Sequence, residues 1–297
     1  MKEGAVFEGF ETRMVEGEGA RLFCRIGGSG KPLLLLHGFP QTGAMWAGIA
    51  GELAARFTVI MPDLRGYGRS SKPDSSNGAA YTKRAMAADA RAVMAALGHA
   101  RFSVGGHDRG GRVAYRLALD APEAVERLAV LDIVPTVEVW EAMDAAAALS
   151  GYHWPFLARP EPLPERLIAG DPLFYLETTL ASWTASKDLS AFAADALDEY
   201  RRAFAAPGAI HALCEDYRAG AGPDRAHDEA DRRAGRRIAA PTLALYGKGG
   251  SPVGKADEVP DVWRRWCDEV TGVAVPGGHF VAEEAPQETL RALLGFF

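Results

Sequence analysis

Short apolar runs alternate with longer stretches of helical periodicity along most of this chain. Strand-length runs cover Arg21 to Ile26, Pro32 to Leu36, Phe57 to Met61, Phe102 to Gly105, Leu128 to Ile133, Thr242 to Tyr246 and Gly272 to Val275. Between and after them, Thr82 to Leu97 and Pro286 to Leu294 carry the clearest helical spacing. This alternation predicts an α/β protein with a mostly parallel central sheet and helices on both faces. It breaks between Val134 and about Arg225, a stretch that holds Trp140, Tyr152, Trp154, Phe156, Trp183, Tyr200 and Tyr217 and shows helix-like periodicity only. A helical cap inserted between the strand that ends at Ile133 and the one that starts at Thr242 is therefore expected, dividing the chain into core 1–135, cap 136–225 and core 226–297.

One turn carries chemistry of its own. Arg101 to Gly105 reads as a buried strand and Val113 to Leu119 as the start of a helix, so Gly106-His107-Asp108-Arg109-Gly110 spans a sharp strand-to-helix turn. That is the form of a nucleophile elbow with aspartate where a hydrolase usually carries serine. An ionised carboxylate can displace a leaving group from saturated carbon and form an ester that water later cleaves. Carbon–halogen cleavage or epoxide opening follows as the expected chemistry. The competing reading, an aspartate capping a helix N-terminus, leaves the flanking glycines unexplained.

The partners such a nucleophile needs are present. His279, in Gly277-Gly278-His279-Phe280, follows the last expected strand in a loop position suited to a general base. The strand that starts at Thr242 ends Leu245-Tyr246-Gly247-Lys248-Gly249-Gly250 with no carboxylate in the turn, so Asp132, near the end of the strand that starts at Leu128, is the expected orienter of His279. Backbone N–H groups of Phe39, in His37-Gly38-Phe39-Pro40, and of Arg109 would form an oxyanion site, with Gly38 permitting close approach. Asp63-Leu64-Arg65-Gly66-Tyr67-Gly68-Arg69-Ser70 reads as a loop held by its own charges and glycines, without a phosphate-cradling pattern.

Composition narrows the partners. The 297 residues are 48% hydrophobic and 24% charged, with a formal net charge of −6 and the Lys and Arg residues scattered, which argues against nucleic acid. Cys24, Cys214 and Cys267 lie far apart in no Cys-x-x-Cys arrangement, so reduced thiols are expected rather than disulfides or a zinc site. His, Cys and acidic residues show no metal-ligand spacing, and no cofactor is expected. The opening Met1-Lys2-Glu3-Gly4 lacks a leader pattern and Leu33 to Leu36 is too short to span a bilayer, so a cytoplasmic location without a membrane partner is expected.

Taken together, His37-Gly38-Phe39-Pro40, the Asp108 elbow and Gly-Gly-His279 make the chain resemble the α/β-hydrolase superfamily over nearly its whole length. Within it, Asp108-Arg109-Gly110-Gly111-Arg112, His153-Trp154 and Tyr217 are similar to the haloacetate dehalogenases, more narrowly the fluoroacetate dehalogenases. Arginine, not the tryptophan usual in epoxide hydrolases and haloalkane dehalogenases, follows the nucleophile. Arg109 and Arg112, three apart on a helix, face the same way and would clamp a small carboxylate. Fluoride needs strong hydrogen bonds as it leaves, and the resemblance implies that His153, Trp154 and Tyr217 donate them, with Trp183 as a candidate pocket wall. It also implies a homodimer. The expected reaction turns haloacetate, fluoroacetate above all, into glycolate and halide. Two rivals stand: an epoxide hydrolase using Tyr152 or Tyr175 with Tyr217, and a non-enzymatic ligand receptor on the same fold.

Overall fold

The computed structural model describes residues 7–249 and 258–297. The opening Met1-Lys2-Glu3-Gly4 and Gly250 at the end of the seventh-strand turn lie outside the described residues. Among the described residues, eight strands form one sheet: β1 (Phe10–Glu16), β2 (Arg21–Gly27), β3 (Lys31–Leu36), β4 (Phe57–Pro62), β5 (Phe102–His107), β6 (Val125–Leu131), β7 (Thr242–Gly247) and β8 (Val270–Val275). Their spatial order is β1-β2-β4-β3-β5-β6-β7-β8. β1–β2 and β2–β4 pair antiparallel, and every other neighbouring pair is parallel. Each expected strand is present within a few residues of its predicted ends. β1 is the one the pattern misses, because an edge strand with a single buried side chain, Val15, carries no two-residue apolar period.

The middle of the sheet is buried on both faces, as a parallel sheet covered by helices requires. Leu33 to Leu36 are fully enclosed, as are Leu128, Ala129 and Leu131. Helix Lys83–Ala96 packs against helix Asp108–Asp120, and helix Ala47–Ala54 against helix Pro286–Phe296. The first of these starts where the Thr82 hydroxyl accepts the Ala85 N–H. The last starts on Pro286.

Between β6 and β7 the chain is helical throughout, with eight helices running from Thr136–Glu141 to Pro223–Arg233. The expected cap boundary at 225 falls inside the last of them, which continues because Asp228 and Asp231 are buried against Arg116 of the elbow helix. Parallel pairing then brings the functional turns to one edge. Leu36 pairs with Gly106, and His107 with Leu131, so the residues that follow β3, β5 and β6 leave the sheet side by side at its carboxyl end.

Candidate active site

Asp108 is the first residue of the elbow helix and has φ 45°. An L-residue holds that left-handed conformation at a cost of order 1–3 kcal/mol, which surrounding contacts must offset. Glycines make the turn possible. A Cβ at Gly106 would lie 2.4 Å from the Gly110 carbonyl oxygen, and one at Gly38 2.5 Å from Asp108 Cβ and 2.9 Å from its Oδ1. With Gly38 out of the way, the Phe39 N–H donates to Asp108 Oδ1 at 2.8 Å. Asp108 thus accepts from the loop after β3 and not, as a capping aspartate would, from its own helix. The Arg109 amide follows directly at the helix start.

His279 faces the other carboxylate oxygen. Its Nε2 lies 3.9 Å from Asp108 Oδ2, too far for a hydrogen bond, and its Nδ1 donates to Asp132 Oδ2 at 2.7 Å. Asp132, also at positive φ (52°), accepts the Gly247 N–H on its other oxygen at 3.1 Å. Burial draws the His279 pKa down, but the Asp132 hydrogen bond and charge, joined by the Asp108 charge, raise it above the ordinary histidine value. Burial likewise pushes the Asp108 carboxyl up, and the charges of His279, Arg109, His107 and Arg112 hold it below the ordinary carboxylate value. A carboxylate kept ionised beside a histidine fixed by a second carboxylate can serve in turn as nucleophile and as the substrate of base-assisted hydrolysis.

Over this centre sit side chains from the helical insertion. The His153 ring is 5.6 Å from that of Tyr217 and 6.4 Å from that of Trp154, and Trp154 and Tyr217 are 5.9 Å apart. Phe39 joins them from below, 5.2 Å from Tyr217. Trp183 closes one side, 4.4 Å from His153 and 5.3 Å edge-on to His279. Burial pushes the His153 pKa down to about 3 despite the Asp108 charge, so it is a neutral imidazole. Burial and Asp108 push the Tyr217 pKa up, so its hydroxyl stays protonated. Both present polar atoms, His153 Nδ1 and Tyr217 Oη, that are buried without a protein partner.

Arg109 and Arg112 are enclosed rather than on the surface, and both lie against the Trp154 ring, at 5.4 and 4.5 Å. Each guanidinium already spends part of its fork on protein partners. Arg109 directs Nε and Nη2 at Asp216, at 3.2 and 2.7 Å, because a buried guanidinium needs a counter-ion. Its Nη1 remains without a partner. Arg112 gives Nη1 to the Val134 carbonyl at 2.8 Å and to Thr136 at 3.3 Å, and keeps Nε unpartnered.

Several contributors escaped the sequence reading. Asp216 and Lys83 are far from Arg109 in sequence and join it only through the fold, and nothing in their local spacing marks them. His107, inside the elbow string, donates Nε2–H to the His279 carbonyl at 2.9 Å, with burial and His279 pushing its pKa down to about 3. Glu284 accepts the Ala185, Gly278 and Phe280 N–H groups at 2.7, 2.8 and 2.9 Å, pinning the His279 loop. Tyr152, one tyrosine of the epoxide reading, is 44% exposed. Tyr175 packs on Phe156 and Phe204, and among the described residues neither makes a ring contact with Tyr217. No group of three His, Cys, Asp or Glu among the described residues is placed to hold a metal ion.

An elbow at the end of the fifth strand, a histidine after the last strand and a helical insertion above them define an α/β hydrolase. The sequence profile of the alpha/beta hydrolase fold matches residues 31–286, and the chain belongs to that family. It is 44% identical to a fluoroacetate dehalogenase from Burkholderia sp over 98% of this chain and 95% of that protein. It is also 35% identical to a soluble epoxide hydrolase from Corynebacterium sp. (strain C12), over 94% of each. Among solved structures, the α/β-hydrolase-fold protein ALR0039 from Nostoc sp PCC 7120 superposes with a TM-score of 0.94 at 48% identity, covering 98% of both chains.

Proposed function

We propose that this α/β hydrolase is a haloacetate dehalogenase with fluoroacetate as its preferred substrate. The observation that carries this reading is the buried pair Arg109 and Arg112, each with an unpartnered N–H and each against Trp154, beside an aspartate elbow. Buried cationic N–H groups call for an anionic partner, and a neutral epoxide would leave them unpaired. The Burkholderia relative supports the same substrate class.

In this reading Asp108 Oδ2 attacks the halogen-bearing carbon in line with the departing halide. A carbon–oxygen bond forms, the carbon–halogen bond breaks, and the halide leaves toward the neutral donors His153, Trp154 and Tyr217. The substrate carboxylate rests on Arg109 and Arg112. Esterification removes the Asp108 charge, one of the causes that raise the His279 pKa, so less holds a proton on the imidazole when it acts as base. It takes a proton from water, whose oxygen adds to the Asp108 carboxyl carbon, and the Phe39 N–H holds the resulting oxyanion. Collapse breaks the bond to the glycolate oxygen, which takes the remaining proton of the added water, restores the carboxylate, and leaves His279 to give its proton to solvent. Asp132 keeps the His279 tautomer and balances the imidazolium. The proposed partner protein is a second copy of the chain; the exposed apolar side chains Leu149, Leu167 and Phe174 all lie in the helical insertion.

The test is a single turnover with fluoroacetate in ¹⁸O-water. Fluoride should appear and the label should enter Asp108, whereas label confined to glycolate overturns the nucleophile. His279→Asn should release one equivalent of fluoride per site and then stall with the ester visible by mass spectrometry. Diol formation from a styrene-type epoxide, with no halide release from any haloacetate, would replace this reading with the epoxide hydrolase.

A further inference from the structure

The acid that governs Arg109 has no part in the chemistry so far. Asp216 is completely buried on helix Ala209–Ala221, one residue before Tyr217. Its carboxylate accepts Arg109 Nη2 on Oδ1 at 2.7 Å, and Arg109 Nε at 3.2 Å and the Tyr67 hydroxyl at 2.6 Å on Oδ2. Lys83 Nζ forms an ion pair with Oδ1, and the Asp216 carbonyl accepts Arg109 Nη2 again at 2.7 Å. Lys83 is backed in turn by Asp224, whose Oδ2 lies 3.8 Å from its Nζ. These contacts gather four separate parts of the chain: the elbow helix, the loop after β4, the helix that begins at Lys83 and the insertion.

Three consequences follow from this geometry. A guanidinium is planar, so holding Nε and Nη2 also fixes where Nη1 points, and Nη1 is the buried group left without a partner. The guanidinium so fixed lies over the Tyr217 ring, 4.2 Å from its centroid, and 5.4 Å from that of Trp154. Second, Arg109 is adjacent in sequence to Asp108 and its charge acts on that carboxylate, while its Nε and Nη2 are committed to Asp216 and not to the nucleophile. Third, Asp216 alone would cancel the attraction of Arg109 for an anion; Lys83, shared with Asp224, takes up part of the Asp216 charge.

We propose that Asp216 is a positioning residue that aims Arg109 at the substrate carboxylate and holds it off Asp108, with Lys83 sharing the Asp216 charge. The proposal rests on the haloacid reading for the identity of the anion. Its physical content is that Asp216 controls carboxylate binding and the alkylation step, and leaves ester hydrolysis alone.

The experiment compares wild type, Asp216→Asn and Tyr67→Phe by rapid-quench kinetics with chloroacetate, and by calorimetric binding of acetate. Asp216→Asn should weaken acetate binding and raise the chloroacetate concentration for half-maximal alkylation by about tenfold or more. The rate constant for ester hydrolysis should stay within about twofold of wild type. Tyr67→Phe removes one hydrogen bond from Asp216 and should shift both binding quantities the same way by about two- to fivefold; it supplies the answer if Asp216→Asn does not fold. Unchanged acetate binding in the folded variants, or alkylation and hydrolysis falling in equal proportion, overturns the proposal and leaves Asp216 as structural glue. If wild type releases no chloride, the haloacid reading fails by itself. The acetate measurement then still decides whether Asp216 controls carboxylate binding.

Discussion

Trp154 shows how much one side chain is asked to do. Both arginines lie over its ring, and it meets Tyr217 in a T-shaped contact and His153 at a tilt, so one indole borders both the proposed carboxylate site and the proposed halide site. Trp154→Phe keeps an aromatic ring there and removes only the N–H. Fluoride accepts stronger hydrogen bonds than chloride and leaves less readily, so losing a donor should slow defluorination more than dechlorination. The ratio of kcat/KM for fluoroacetate to that for chloroacetate should fall by about tenfold or more. A ratio that stays constant while both rates decline would make Trp154 a wall of the pocket and nothing else. At this scale the sequence was readable wherever a motif names the residue, as at Asp108, His279 and the Phe39 loop. Asp216 was not readable, because its partner Arg109 is 107 positions away and an Asp on a helix is ordinary.

At the scale of elements, the active geometry depends on two turns approaching within contact of one another. β3 and β5 are neighbours, and the loop after β3 can reach Asp108 only because position 38 has no Cβ. Gly38→Ala would place a methyl 2.5 Å from Asp108 Cβ, so the loop or the elbow must move. A displacement on the order of 1 Å costs about a hundredfold in rate, and overpacking of this kind destabilises by about 1–3 kcal/mol. Thermal melts beside kcat/KM measurements check both. A folded Gly38→Ala protein with wild-type turnover would show that the Phe39 N–H is not needed on Asp108. The core strands and the flanking helices could be read from periodicity, since a buried parallel strand is apolar along its length. The edge strand β1 and the packing of the inserted helices could not, because neither follows from a local repeat.

For the molecule as a whole, the insertion and the core are joined by buried polar contacts as well as by apolar packing. Arg116 binds Asp228 and Asp231 on one side. On the other, Tyr200 donates to Glu283 Oε1 at 2.9 Å and Gln41 donates to its Oε2. Burial pushes the Glu283 carboxyl up to about 8, more than the Tyr200 and Gln41 hydrogen bonds lower it. The folded protein therefore keeps this proton in a pH range where the unfolded chain has released it. Stability contributed at this site is present below the ordinary glutamate value and is lost as pH rises toward 8. Glu283→Gln removes the titration, and its melting temperature at pH 8 should exceed that of wild type by a few degrees, with a smaller difference at pH 5. Equal pH dependence in the two proteins would place an ionised Glu283 in the native state.

The chain by itself determined the α/β order of its elements, the site of the helical insertion, and an aspartate elbow with its histidine and orienting acid. Each of these is written in short-range pattern: apolar period, glycine spacing, and a reactive residue set against a strand end. The tertiary structure alone decided that Arg109 faces a buried acid, that Arg112 is tied to the loop after β6, and that Trp183 reaches both histidines. Those outcomes depend on which charges lose water together when the insertion closes on the sheet. A buried charge takes whatever counter-charge the fold brings to it, and no local stretch of sequence contains that pairing.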